Sequence, residues 1–194
     1  MSTSGFDRLD ELSHVPTSSS HLIDEAVWIM DSLATGTQEL AILVERYGNS
    51  TAPNVAPVIT SLVATRAQQP SPEMAQVVLR LVAAFNCWSP AETVMNALTA
   101  VQHMLHYVDA AAGDSLRPVS AFLRKCLDYE GRHWIIIKGH ALSLLSILET
   151  RGLTSKVFTS TEIGELNEKI EEFRRTASEE LGPELREIEN PIRK

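Results

Sequence analysis

Two histidines and an aspartate, His103, His106 and Asp109, follow one another at three-residue intervals in the segment HMLHYVD. Side chains at this spacing are neighbours on a helix surface and could hold a metal ion together. At about 100° per residue, however, the histidines point away from the apolar face of their helix. A catalytic zinc needs three ligands in a shaped cavity, and Met104 stands where the His-Glu-x-x-His pattern has its glutamate. The sequence therefore predicts no metal site and no cofactor.

Other residues with catalytic potential lie in unfavourable surroundings. Cys126 falls on an apolar helix face, and Cys87 has no basic neighbour in sequence that would activate its thiol. His140 lies on the apolar side of its helix, where a neutral histidine bonded to a carbonyl or a side chain is usual. The chain has no nucleophile elbow, no phosphate-binding glycine loop and no dinucleotide fingerprint. These patterns predict that the protein is not an enzyme.

Basic residues outnumber acidic ones in residues 117–138, although the net charge of the whole chain is -8. One interpretation is a solvated helix face, in which Arg124 pairs with Asp128 four residues later. The other is a docking patch for an acidic peptide, a phosphate or an RNA backbone. Arg124 and Lys125 point away from the apolar face, so reversing their charges is expected to leave the stability unchanged. The candidate partner-binding or polyanion-binding residues are Arg117, Arg124, Lys125, Arg132 and Lys138.

Helical periodicity and capping residues predict an all-α protein of about eight antiparallel helices, either an irregular bundle or a short solenoid-like stack. Ser71-Pro72 and Ser89-Pro90 each place a serine at a helix cap and a proline at the first helical position. Both pairs also match proline-directed phosphorylation sites, but the capping role already accounts for them. The predicted helices span about 21–34, 37–47, 57–68, 72–87, 90–111, 115–129, 132–150 and 161–181.

Two of these helices have distinctive apolar patterns. Helix 132–150 is apolar nearly all round, which predicts that most of its sides are buried and that it is the central helix. Its small residues Gly139, Ser143 and Ser146 would let a neighbouring helix approach closely. Helix 161–181 carries a short heptad seam that would dock on its own domain or pair with a second copy. The seam residues are Ile163, Leu166, Ile170, Phe173 and Ala177.

The 194 residues suffice for one domain with a substantial core, predicted over 20–182. Residues 1–19 are polar and acidic and are predicted to be disordered, and residues 183–194 are predicted to be a flexible or frayed tail. Two cysteines, no signal-peptide pattern and no long apolar run predict a soluble, intracellular and cytoplasmic protein without membrane contact.

The function favoured by these patterns is non-catalytic. An α-helical adaptor or scaffold module would bind another protein through its helical surfaces. The alternative is a nucleic-acid-associated factor, for example a nucleocapsid-associated or RNA-associated one, that uses the basic residues of 117–138. The two hypotheses differ in whether those basic residues form one contiguous exposed patch. An enzymatic function would depend on His103, His106 and Asp109 alone.

Overall fold

The computed structural model describes residues 4–85, 90–108, 115–182 and 190–192. These residues form ten α-helices and no β-strand, which confirms the all-α prediction. Each of the eight predicted helices has a counterpart, and the two short helices at 5–13 and 154–157 were not predicted. Within the described ranges, every helix is too short or too polar to cross a membrane. The chain divides into two compact units, unit 1 (Met1–Tyr107) and unit 2 (Val108–Lys194).

Unit 1 is organised around a short helix with apolar residues on several sides. This helix, α4, packs against α2, α3, α5 and α6, and it buries residues from its first turn to its last. Small and β-branched side chains dominate it, so neighbouring helices can approach from several directions. The helices of unit 1 are α1 (Gly5–Ser13), α2 (Ser20–Leu33), α3 (Thr37–Tyr47), α4 (Ala56–Arg66), α5 (Pro72–Ala84) and α6 (Ala91–Tyr107).

The described part of unit 2 contains two long helices, one of medium length and one of a single turn. α8 packs against α7, α9 and α10, and α10 also contacts α7. Leu166, Ile170 and Phe173 of the predicted heptad seam are buried in this packing. The seam is therefore covered within unit 2, as the first of its two interpretations predicted. The helices of unit 2 are α7 (Arg117–Leu127), α8 (Trp134–Thr150), α9 (Thr154–Val157) and α10 (Ser160–Leu181).

Side-chain caps fix several helix starts. The Ser71 hydroxyl accepts a hydrogen bond from the Met74 amide at 3.0 Å, as the Ser-Pro pattern predicted. At the start of α10 the Thr159 hydroxyl accepts from the Glu162 amide, and the Glu162 carboxylate accepts from the Thr159 amide at 2.8 Å. These paired bonds form a capping box. The cap predicted at Ser89 lies outside the described residues.

The N-terminal segment corrects one prediction, because residues 5–13 form helix α1 instead of a disordered chain. Ser4 and Asp7 form a capping box at its start. Leu9 and Leu12, three residues apart on one face, are fully buried. Two leucines on a nine-residue helix give a weak periodic signal, so the surrounding polar composition dominated the prediction.

Ion pairs at two flanks of α1 join it to α2 and α3. Arg8 donates to both carboxylate oxygens of Glu25 on α2, at 2.8 and 3.0 Å. On α3, Arg46 pairs with Asp10, and the Tyr47 hydroxyl donates to the Asp10 carboxylate at 2.9 Å. Hydrogen bonds from Arg46 and Tyr47 lower the pKa of Asp10, and the bond from Arg8 lowers the pKa of Glu25.

Acid is expected to loosen α1 before it affects the buried helices of unit 1. A carboxylate whose folded pKa is depressed stabilises the fold above its unfolded pKa, and this contribution is lost as the pH falls through the folded value. For Asp10 and Glu25 the loss therefore falls below about pH 4. Hydrogen exchange, corrected for intrinsic rates, should show α1 losing protection at pH 3 while α4 keeps it. Asp10→Asn should weaken α1 already at neutral pH, and equal protection of both helices at pH 3 would contradict the prediction.

α8 is less buried than the sequence predicted. Leu145 is completely buried, but Ile136 is 56% exposed. Apart from the adjoining residues and the backbone of α8 itself, no described atom lies within 4 Å of the place where a side chain at Gly139 would begin, and Ser143 and Ser146 are exposed. The small residues therefore line a solvent-facing side of α8 rather than a close helix contact. The prediction that α8 is buried on most sides is therefore wrong. An almost uniformly apolar sequence does not indicate which side of a helix faces the core.

The C-terminal residues are described in part. The Asn190 side-chain amide donates to the Asn167 side-chain oxygen on α10 at 2.9 Å, and Ile192 is 4% exposed. Residues 190–192 therefore pack on unit 2, which corrects the prediction of a flexible tail at this point. The rest of the predicted tail, 183–189 and 193–194, lies outside the described residues.

Candidate functional site

The five basic residues predicted as a binding patch are distributed over different surroundings. Arg117 at the start of α7 and Arg132 before α8 are exposed. Lys125 is partly buried on α7. Arg124 and Lys138 each face carboxylates from α10, although they lie on different helices. Two members of the predicted patch are thus placed next to acidic groups.

Arg124 joins α7 to α10. Its guanidinium donates to the Glu162 carboxylate at 3.1 Å and to the Glu165 carboxylate at 2.5 Å. The Ser120 hydroxyl also donates to Glu162, at 3.2 Å. The pairing of Arg124 with Asp128 that the sequence suggested is replaced, since Asp128 pairs with Lys169 of α10. Arg124 therefore holds two helices of unit 2 together.

A cleft of about 490 Å³ opens in unit 2 beside α8, α10 and the end of α7. We name it the α8–α10 cleft. The lining combines buried apolar side chains with charged ones at the surface. Seven of the eleven described lining residues are polar or charged. The lining residues are Leu127, Asp128, Tyr129, Glu130, Trp134, Lys138, Lys169, Glu172, Phe173, Thr176 and Glu180.

An aromatic pair forms the apolar part of the α8–α10 cleft. The rings of Trp134 on α8 and Phe173 on α10 meet edge to face, with centroids 5.9 Å apart and planes at 88°. Phe173 is 3% exposed and anchors the pair, whereas Trp134 is only partly buried. The partly open indole ring offers a partner both an apolar surface and an electron-rich face.

Lys138 lies one helical turn after Trp134, and its ammonium is 5.1 Å from the centroid of the indole ring. This distance is within the range of a cation–π interaction. Burial lowers the pKa of Lys138, and the charges of Glu172, Asp128 and Glu130 act in the opposite direction. The ammonium is therefore partly removed from water and surrounded by acidic groups.

The charge balance of the α8–α10 cleft is acidic. Among the lining residues that the structure describes there are four carboxylates, against the two ammonium groups of Lys138 and Lys169, and Lys169 is paired with Asp128. Glu130, Glu172 and Glu180 are exposed at the surface. A site with this balance attracts cations and repels phosphates. Lys138 was predicted as an anion-binding residue, and its surroundings favour the opposite ligand charge.

The three residues that could have formed a metal site are only partly described. His103 is partly buried and His106 is exposed, while Asp109 lies outside the described residues. In the described ranges no three histidine, cysteine or acidic side chains lie close enough to hold a metal ion. Cys126 is buried, as the sequence indicated, and burial lowers the pKa of the half-buried His140.

Unit 1 carries a second concave surface, a groove of about 590 Å³ beside α2 and α4. Val27 and Leu62 supply apolar surface there, and Asp31 and Arg66 supply opposite charges. Next along α2, Trp28 is 73% exposed, which is unusual for so large an apolar side chain. Neither Trp28 nor Trp134 was among the predicted binding residues. Trp28 lies outside the apolar face of α2, which is a readable signal in the sequence, whereas Trp134 lies on a helix that is apolar nearly all round and gives no such signal.

The chain matches no protein-family model, no curated protein and no solved structure at a significant level. The chemistry of the two surfaces is therefore what supports a functional assignment. Of the two, the α8–α10 cleft combines an anchored aromatic wall with a defined charge, whereas the groove on unit 1 has mixed charges.

Proposed function

We propose that the protein is a non-catalytic α-helical interaction module, an adaptor or scaffold, that binds a segment of another protein in the α8–α10 cleft. The observation that carries the proposal is the aromatic wall of Trp134 and Phe173 inside a rim of charged side chains. Interfaces between proteins commonly have this composition, with aromatic residues at the centre and polar residues at the edge. Tryptophan is also enriched among the residues that contribute most to binding.

The lining favours a protein segment over a small molecule. Sites for small molecules are lined mainly by apolar side chains with a few polar groups. In the α8–α10 cleft the proportion is reversed, since polar and charged residues outnumber apolar ones. Side chains of an extended or helical segment would contact the aromatic wall, while its polar groups met the rim.

The charge distribution also ranks the proposal above the nucleic-acid alternative. Arg124 is engaged by Glu162 and Glu165, and Lys138 lies in an acidic cleft. Arg117 and Arg132 remain exposed, but binding of a polyanion draws on several phosphate contacts made together. The cytoplasmic localisation inferred from the sequence stays a prediction.

Site-specific photocrosslinking in native lysate tests the proposal. A photoreactive amino acid at position 176, inside the α8–α10 cleft, is expected to capture a discrete protein. The same amino acid at position 143, on the exposed side of α8, is expected not to capture it. Capture at position 176 should resist nuclease, because the proposed partner is a protein.

Two alanine variants provide matched controls. Trp134→Ala should remove the crosslink at position 176 without a large change in melting temperature, since the ring is only partly buried. Trp28→Ala removes an exposed tryptophan ring from unit 1 and should leave the crosslink intact. Equal capture at both positions, loss of capture with nuclease, or indifference to Trp134→Ala would each contradict the proposed function.

A further inference from the structure

We infer that the segment bound in the α8–α10 cleft is basic, that one of its cations binds the face of Trp134, and that Lys138 occupies this position in the free protein. The inference rests on the proposed function and adds the partner's chemistry and a competing group within the chain. It follows from the positions of Trp134, Lys138 and the surrounding carboxylates.

The α8–α10 cleft already contains a cation in a cation-binding geometry. The Lys138 ammonium lies 5.1 Å from the Trp134 ring centroid. Phe173 packs against the same indole from α10 and fixes its orientation. An indole ring is the best of the aromatic side chains for attracting a cation. The site thus has the recognition element that a lysine or arginine side chain of a partner would use.

Three exposed carboxylates lie on the rim of the α8–α10 cleft. Glu172 and Glu180 lie two turns apart on α10, and Glu130 precedes α8. All three are exposed at the surface around the aromatic wall. A segment with several basic residues could therefore place one cation on Trp134 and others beside these carboxylates. Such charge complementarity speeds association and selects against acidic partners.

A partner's cation can displace the Lys138 ammonium from the indole ring. Its ammonium is partly removed from water, and burial lowers its pKa accordingly. A guanidinium is more weakly hydrated than an ammonium and stacks on an aromatic face, so an arginine suits this position better. The long lysine side chain can return its charge to solvent when an arginine binds. Lys138 would then act as a competitor for the partner's cation.

Binding of labelled peptides to the full chain tests the inference. Arginine-rich, lysine-rich and glutamate-rich peptides of equal length are titrated against the wild-type protein at low and moderate salt. The arginine-rich peptide should bind most tightly, and the glutamate-rich peptide should not bind. Trp134→Ala should weaken binding by about 2- to 30-fold, which corresponds to a cation–π interaction of about 0.5–2 kcal/mol.

A matched pair of variants distinguishes the position of Lys138 over the indole ring from its contribution to the net charge of the cleft. Lys138→Gln and Lys169→Gln each remove one positive charge from the α8–α10 cleft, but Lys138 is the one over the indole ring. Lys138→Gln should increase affinity for the arginine-rich peptide by about 5- to 10-fold, within the range of the same cation–π interaction, and Lys169→Gln should do so distinctly less.

Other results of these titrations would contradict a specific part of the inference. Equal increases in both variants would show an effect of net charge and remove the competing role of Lys138. Two results would show that the partner is not basic. One is binding of the glutamate-rich peptide, and the other is that none of the peptides binds to either the wild type or Lys138→Gln. If the crosslink at position 176 persists in that case, the proposed function survives and only the inference fails.

Discussion

Leu145→Asp is expected to prevent the folding of unit 2, while Ile136→Asp on the same helix is expected to leave its stability almost unchanged. Leu145 is completely buried, whereas Ile136 is 56% exposed. An unpaired carboxylate in an apolar interior costs several kcal/mol, and the replacement also removes a buried leucine. This loss is comparable to the whole stability of a domain, about 5–15 kcal/mol.

The two variants introduce the same residue into the same helix at positions of different burial. Ile136 lies in the first turn of α8, where a negative charge suits the helix dipole, so the low helix propensity of aspartate acts at Leu145 and adds at most about 0.7 kcal/mol to the cost of the buried charge. Soluble yield and thermal unfolding followed by circular dichroism give the comparison. Leu145→Asp should lose the cooperative transition of unit 2, and Ile136→Asp should keep it within a few degrees. A folded Leu145→Asp protein, or an unfolded Ile136→Asp protein, would show that the buried face of α8 is wrongly assigned.

The helices were predictable because their boundaries are encoded locally. Ser71-Pro72 and the Thr159–Glu162 box have the same capping role in the structure that the sequence predicted. Apolar residues at three- and four-residue spacing also located the buried face of α10 correctly. These signals involve residues within a turn of each other, which a single sequence displays directly.

Contacts between distant residues were not predictable in the same way. α1 is held by Asp10 with Arg46 and Tyr47, which lie 36 and 37 residues further along the chain. The buried Asn54 similarly accepts a hydrogen bond from the Ser19 amide, 35 residues away. Neither pairing has a local pattern. The N-terminal segment consequently resembled a disordered one by composition alone.

The local charge at the candidate site could not be predicted from the sequence for the same reason. Residues 117–138 are rich in bases, so a count along the chain indicates a basic patch. Folding brings Glu162 and Glu165 of α10 to Arg124, and Glu172 to the surroundings of Lys138. The local charge therefore depends on a helix some forty residues away. Whether the five basic residues bind a partner stays a prediction, but two of them have identified acidic neighbours.

Arg124→Glu is expected to destabilise unit 2, contrary to the stability-neutral charge reversal expected from the sequence. The change replaces two ion pairs between α7 and α10 with repulsion among three carboxylates. Partly exposed ion pairs contribute about 0.2–1 kcal/mol each, so two lost pairs and the added repulsion should total about 1–2 kcal/mol. Chemical denaturation followed by circular dichroism measures this change in the free energy of unfolding.

Arg117→Glu is the matched control, since Arg117 is exposed at the start of α7, where a negative charge suits the helix dipole. Its effect should stay within about 0.5 kcal/mol. The double variant Arg124→Glu, Glu165→Arg restores an opposite-charge pair and should recover part of the lost stability, while Glu162 keeps its capping role. If Arg124→Glu is as stable as the wild type, Arg124 does not hold α10 in solution. Its guanidinium would then be available to a polyanion, and salt-dependent binding to RNA would become the better explanation of the basic residues.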